Sequence, residues 1–377
     1  MIKIAEAVEA LERHVRTIAD AEEPEIWFDT LVQTQPLTLA VTESLDAASA
    51  AECAEAARRL RPLLQLPDPQ VSGQIALLLG VFVERGLPTG IVGREILLEF
   101  GNMLELYGSF VSLIRDEIPA TEEEPEDDEG GYWVEDRFVT EVKAQEFWLR
   151  DRRLPQTLAG LESWILPVVA ILSRDHDLRQ NAQADSGLVK LTEEYKIPFV
   201  RNLLKLLDKE RIVVLHPMTE QGFEIVLDGI TDNFQLHTLL ADALILEKTG
   251  WFKSTGPAWG IAGKRPHPET VAMLKGDKSK SPQPYCEGVW DFYEWTALKG
   301  NEQLKRSVPP DKWIWNEGIP SDIPKFEDTR VIVLGTPSYQ RTWGAGRQIP
   351  ALKASITVTK VFNTAEYRQW TDRLKNG

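Results

Sequence analysis

Apolar residues recur along the start of the chain at steps of three and four. Ile4, Val8, Leu11, Val15 and Ile18 fall on one helical stripe, while Glu6, Glu9 and Arg13 point elsewhere. An alanine-rich stretch from 47 to 64 predicts a second helix, with Glu52, Glu55, Arg58 and Arg59 spaced for ion pairs. Pro67 and Pro69 break the pattern. It returns with Ile96, Phe100, Met103, Tyr107, Phe110 and Ile114, and Leu97, Leu104 and Val111 widen the stripe until it needs cover on two sides. This helix is expected at the centre of a first unit.

Helical patterning resumes at 134–149 and again from Leu158, where Leu161, Trp164, Ile165, Val168, Val169 and Leu172 form a nearly all-apolar segment with Pro167 as a kink point. Pro198 suits a first helical turn and opens a run through Phe199, Val200, Leu203, Leu204, Leu206 and Leu207. Two apolar runs, 212–216 and 223–227, flank a polar turn that ends at Gly222, the signature of a β-hairpin. Asp232 and Gln235 then have the spacing of a capping box, predicting a helix to about Lys248. Beyond Gly250 the texture turns rich in Pro, Gly, Lys and Trp. Segments 330–334 and 352–362 are β-rich and are expected to pair around Gly344, Ala345 and Gly346, and a tail helix from Thr364 to Leu374 is expected to dock through Tyr367, Trp370 and Leu374. No fixed-period repeat is visible.

These elements predict an α+β fold, mostly helical over the first two thirds. Four segments are expected: a helical domain at 1–118, an acidic linker at 119–133, a helical unit with the hairpin at 134–250, and a tryptophan-rich α+β region at 251–377 that packs on the unit before it. The linker rests on the run from Glu117 to Gly131, whose charge repulsion and lack of apolar side chains cannot offset ordering entropy.

Charge sharpens the division. The net −16 is distributed unevenly: the first 250 residues hold 23 Lys+Arg against 45 Asp+Glu, whereas 251–377 hold 19 against 13. A body so charged attracts a partner of opposite sign. With 43% hydrophobic residues the chain has ample material for a core. The longest apolar runs fall short of the roughly 20 residues that a membrane span needs, and no secretion signal is read at the start. Cys53 and Cys286 are isolated in sequence, which fits a reducing, cytoplasmic setting without a disulfide framework or zinc site.

Candidate chemistry is sparse. Gly260 to Arg265 resembles a phosphate loop only superficially, since Ala258 stands where the first glycine is required and Arg265 where Ser or Thr would hold the metal. His176 and Asp177 read as a polar helix end rather than a metal site, and His237, among leucines, as a hydrogen-bonded semi-buried residue. No hydrolase elbow or zinc-helix motif is present. No cofactor or metal is therefore expected.

The helix from Pro198 followed by a hairpin has the element order of a winged helix, in which Arg201, Lys205, Lys209 and Arg211 would meet phosphates. Its acidic surroundings oppose that, and plain packing is the weightier reading. In the C-terminal region Trp313, Trp315, Tyr339, Arg341, Trp343 and Arg347 are the candidate partner-binding residues, because Trp, Tyr and Arg dominate interface hot spots. The expected function is that of a non-enzymatic binding or regulatory protein (an inhibitor, immunity-type factor or adaptor) whose acidic body engages a basic macromolecule. The alternatives are a nucleic-acid-associated regulator and an enzyme with a site near Glu294, Glu317, Tyr339 and Arg341. No membrane partner is expected.

Overall fold

The computed structural model describes residues 3–19, 28–117, 146–147, 149–151, 153–248, 254–301 and 303–377. The acidic linker expected at 119–133, most of the helix expected at 134–149, and Trp251 lie outside them. The fold is α+β. By its internal contacts the chain divides into two compact units, Met1–Leu204 and Lys205–Gly377. Among the described residues no helix is long and apolar enough to cross a membrane.

The first unit is helical: α1 (Ile4–Ala19), α2 (Phe28–Ser44), α3 (Ala50–Leu60), α4 (Pro69–Glu84), α5 (Gly93–Glu117), α6 (Arg153–Leu172), α7 (His176–Ala184), α8 (Ser186–Glu194) and α9 (Pro198–Leu204). The stripe read on α1 is the face it buries, with Val8, Leu11 and Val15 fully covered. At the start of α3, Ser49 and Glu52 form a reciprocal capping box, so Glu52 is spent on the cap. Arg59 reaches Glu12 on α1 (2.9 Å) instead of a neighbour on its own helix.

The centre of this unit is the pairing of α4 with α6. Asp68 caps α4 by accepting from the backbone N–H of Gln70 (2.9 Å) and Val71 (3.1 Å), and its other oxygen accepts from Gln156 Nε2 on α6 (2.7 Å). The backbones approach closely because small residues face each other. A Cβ on Gly160 would sit 2.6 Å from the Pro69 carbonyl oxygen, and one on Gly80 would sit 2.8 Å from Pro167. Pro167 is thus seated against a glycine.

The second unit is built on a sheet. Its strands are β1 (Glu210–His216), β2 (Gln221–Asp228), β7 (Asp291–Glu294), β8 (Lys325–Phe326), β9 (Thr329–Gly335) and β11 (Ser355–Val361), in the order β11-β2-β1-β9-β7 with β8 also paired to β9. Smaller ladders join β3 (Ile245–Lys248) to β4 (Ser254–Thr255) and β5 (Ile261–Ala262), and β6 (Tyr285–Glu287) to β10 (Thr342–Gly344). Three helices complete the unit: α10 (Asn233–Leu244), α11 (Pro268–Lys275) and α12 (Thr364–Asn376).

Alternation along the strands sends side chains to two cores. Ile212, Val214, Ile225, Ile332 and Leu334 pack with Leu236, Leu239 and Leu240 of α10. Val213, Leu215, Val331 and Val333 pack on the opposite face with Tyr367 and Leu374 of α12. Trp370 lies parallel to Phe362, ring centroids 6.3 Å apart, as the expected docking of the tail helix requires.

Three expectations change. The hairpin at 212–227 forms, but β1 pairs on its other side in parallel with β9, so the two strands are interior to the sheet and not a protruding wing. It therefore belongs with the tryptophan-rich strands rather than with the helices before it. Segments 330–334 and 352–362 do not pair with each other, because β1 and β2 stand between them. The helix from Asp232 ends at Leu244, four residues short of Lys248, because Ile245 and Leu246 are taken into the ladder with Ile261 and Ala262. Its cap is also offset: Asp232 accepts from Gln235 N (2.7 Å), while the Gln235 side chain accepts from the N–H of Thr231 (3.0 Å).

A matched pair of substitutions tests the α4–α6 contact. Gly160→Ala is expected to lower stability by about 1–3 kcal/mol through overpacking against Pro69. Gly101→Ala on α5, where a Cβ meets nothing within 4 Å, is expected to raise it by about 0.5–1 kcal/mol. Denaturant midpoints measure both.

Candidate functional site

Because β1 and β9 run parallel, both end at the same edge of the sheet, and the antiparallel β7 begins there, with Asp291 opposite Gly335. Clefts at the carboxyl ends of parallel strands are where open sheets tend to place ligand-contacting loops. Here the turn after His216 and the loop from Thr336 to Arg341 meet Trp290 and Asp291.

Asp291 has no exposed surface. One of its oxygens accepts from the backbone N–H (2.8 Å) and hydroxyl (2.6 Å) of Ser338 and from the Tyr293 hydroxyl (3.1 Å). The other faces Arg341 Nη2 at 3.0 Å, and that guanidinium also donates to the Trp290 carbonyl (2.6 Å). A carboxylate removed from water is tolerable when donors and a cation stand beside it; here one oxygen takes the hydrogen bonds and the other has the Arg341 charge without a hydrogen bond of its own. Burial, reinforced by the Asp291 charge, pushes the Tyr293 phenol up to about 12, so it remains a donor.

Two histidines flank Trp290, with ring centroids 6.5 Å (His216) and 6.2 Å (His237) from the indole. Burial holds His216 down at about 4 and His237 at about 3. Both are neutral near pH 7. His237 Nε2 meets the Trp290 backbone N–H at 3.3 Å and its carbonyl at 3.1 Å, while Nδ1 is buried without a hydrogen-bond partner. His216 Nδ1 is 2.7 Å from the Thr219 hydroxyl, which tethers the hairpin turn.

Comparison with family models, with curated proteins and with solved structures finds no match to this chain.

The chain's own geometry therefore carries the functional reading. Around the locked polar centre several large side chains stay accessible: Tyr339 is 54% exposed and Met218 61%. The Arg341 guanidinium lies 5.8 Å from the Tyr339 ring, joining the exposed ring to the buried pair.

Trp343 is half-buried, its indole perpendicular to His237 (5.0 Å) and tilted against Phe234 (5.4 Å). Trp313 packs edge-on against Tyr293 (5.6 Å) and stacks on the exposed Trp315 (5.3 Å), whose carbonyl accepts from Asn233 Nδ2 (2.8 Å). Tyr339, Arg341, Trp343, Trp313 and Trp315 thus surround the start of β7 and of α10. Arg347 is placed elsewhere, against Gly276 after α11, where burial lowers its pKa.

Of the residues of the enzyme alternative, Glu294 is set apart from Tyr339 and Arg341. Glu294 sits at the far end of β7 from Asp291, bound to Lys312 (3.0 Å) and Thr296, and Glu317 is exposed. The phosphate-contacting set is also divided. Arg201 faces Glu193 (3.9 Å) on the first unit, Arg211 pairs with Glu224 (3.6 Å) on the second, and Lys209 occupies a turn with φ 53°. The helix α9, with seven residues, ends before Lys205.

Among the described residues no group of three or more His, Cys, Asp or Glu side chains is placed to hold a metal ion. Lys264 and Arg265, in the segment resembling a phosphate loop, are bound to Glu287 (2.9 Å) and Asp242. His176 opens α7 beside Asp175, which caps the helix through the Leu178 N–H (3.0 Å).

Asp291, Ser338, Tyr293 and His216 were not singled out from sequence. The available signal was an aspartate directly before an aromatic strand, a position where an acid is anomalous unless paired.

Two predictions follow from the buried groups. Asp291→Asn leaves the Arg341 charge without its counter-ion and is expected to destabilise the second unit by about 3 kcal/mol. Adding Arg341→Gln should recover part of that loss in a double-mutant cycle of denaturant midpoints. For the histidines, the folded pKa values of about 4 and about 3 lie below the ordinary 6.5, so unfolded chains take up protons first as pH falls. Their contribution is intact above pH 6.5 and fades toward pH 4 for His216 and pH 3 for His237, and the thermal midpoint measured from pH 6.5 to 4 should decline less steeply in His216→Asn than in the wild type.

Proposed function

We propose that this is a binding or regulatory protein, of the inhibitor, immunity-type or adaptor kind, whose acidic first unit engages a basic macromolecular partner. The observation that carries the reading is the segregation of charge between two compact bodies. Residues 1–204 hold 19 Lys+Arg against 37 Asp+Glu, net −18, while 205–377 hold 23 against 21, net +2. Setting aside the seven acids between Glu122 and Glu129 leaves the first unit at 19 against 30, still −11. A field of that size raises the local concentration of cationic partners and speeds their encounter.

The edge of the sheet in the second unit supports binding rather than turnover. Its titratable groups are neutral histidines, a protonated tyrosine and an ion-paired aspartate, each engaged in holding backbone or loop. Its accessible side chains, Trp315, Tyr339 and Met218, are of the kind that anchor protein contacts.

The test is capture of proteins on the immobilised full chain over a salt series from about 0.05 to 0.5 M. Retention of basic proteins that is lost as salt rises is the expected result, with weaker retention when Glu122, Glu123, Glu124 and Glu126 are changed to Gln. Retention that ignores both salt and these substitutions would sink the electrostatic reading.

A further inference from the structure

Away from the Asp291 edge, the second unit carries a groove of about 540 Å³ between α10, α11 and the small β3–β4–β5 ladder. That volume is within the range of small-molecule sites. Its polar wall is unusual in composition. Both oxygens of Asp242 on α10 are occupied, one by the Arg265 guanidinium and the other by Lys275 Nζ (2.9 Å). Arg265 also donates to the Asp242 carbonyl (2.9 Å), and its backbone N–H donates to Glu247 Oε2 (3.3 Å).

The two cations are not saturated by this arrangement. Arg265 binds Asp242 through Nη2 alone, which leaves Nη1 to donate, and the Lys275 ammonium has two further N–H groups. On the opposite side of the balance, Glu247 keeps its second oxygen, and Thr255 stands directly across from it in the β3–β4 ladder. The groove therefore offers spare donors at one place and a spare carboxylate oxygen close by. Asp277, at its rim, is itself paired with Lys353 (3.0 Å), so Asp242, Glu247 and Asp277 are balanced by Arg265, Lys275 and Lys353, and a ligand that carries both signs matches this wall better than one that carries a single charge. Pro266, Pro268, Val271 and Ala272 complete the lining with apolar surface.

We propose that this groove binds an amino-acid zwitterion with an apolar side chain. The carboxylate meets the Arg265 and Lys275 donors, the ammonium meets Glu247, and the side chain lies on the Val271 face of α11. Guanidinium and ammonium groups together select a carboxylate by charge-assisted hydrogen bonds, and the Glu247 carboxylate discriminates by demanding a donor. This site is separate from the electrostatic partner reading and stands or falls without it.

Titration of the full-length protein by calorimetry tests the assignment with three probes of matched carbon skeleton: L-phenylalanine, hydrocinnamate, which lacks the ammonium, and phenethylamine, which lacks the carboxylate. Saturable binding of L-phenylalanine at about 1 mM or tighter, with each analogue at least about tenfold weaker, is expected. Glu247→Gln, at a half-exposed position, should erase the preference for L-phenylalanine over hydrocinnamate, and Lys275→Met should weaken L-phenylalanine about tenfold, with the thermal midpoint reporting that both variants are folded. Absence of saturation with L-phenylalanine, equal binding of hydrocinnamate, or a Glu247→Gln variant that keeps the full preference would each overturn the proposal.

Discussion

The pairing of Ile212–Leu215 with Arg330–Val333 is the constraint on which the second unit depends. Parallel neighbours cannot be joined by a tight turn, so the chain between β1 and β9 has to make a long crossover. It first turns back as β2, then leaves the sheet for α10, the β3–β4–β5 ladder and α11, and re-enters it with β7 and β8 before β9. Covering both faces in turn explains why β1 is apolar at every position from Ile212 to Leu215, where a sheet with one solvated face would alternate. It also places two strand ends and the start of a third at one edge, which is where Asp291 sits.

A carboxylate with no access to water is costly unless fully engaged, and Asp291 is engaged by groups from three places in the sequence: Tyr293 on its own strand, Ser338 in the loop after β9, and Arg341 beyond it. The energetic logic runs against large net stabilisation, since a buried ion pair rarely outdoes well-packed apolar residues. What it supplies is definition. The loop from Thr336 to Arg341 is held by Asp291 Oδ2, which accepts from Ser338, and by the Arg341 ion pair, and Tyr339 is carried on that loop. Neutral His237, bonded to the Trp290 backbone, fixes the other side of the same junction.

Legibility from sequence followed the range of the interactions involved. The stripe of α1, the hairpin and the docking face of α12 are written in neighbouring residues, so periodicity and turn chemistry found them. The Ser49–Glu52 cap of α3 is just as local, but alanine content puts the helix start at 47 and charge spacing puts Glu52 in an ion pair. The Gly160–Pro69 approach, the partnership of β1 with β9 and the early end of α10 depend on residues far apart in the chain. Ile245 reads as a continuation of the helix until Ile261 is known to lie beside it. The aromatic candidates were visible as types, and Trp313, Trp315, Tyr339, Arg341 and Trp343 do gather around one strand end. Arg347 does not, and Asp291, to which Ser338 and Arg341 bind, was not singled out. Recognising it required knowing that Ser338 and Arg341 return to it.

In the binding function proposed above, charge and shape divide the labour between the units. A helical body at net −18 is suited to attracting a partner over distances comparable to the screening length of about 8 Å at physiological salt, but such attraction is poorly selective. Selectivity needs groups held in fixed positions, and the second unit has them: rings stacked on buried neighbours, and loops tied down by a carboxylate and two neutral histidines. Near neutrality, at +2, is an advantage for that role, because short-range complementarity then decides which contacts form and long-range repulsion or attraction does not mask it. A binding protein built in this way separates encounter from discrimination, and the two properties become independently adjustable by sequence change in different halves of the chain.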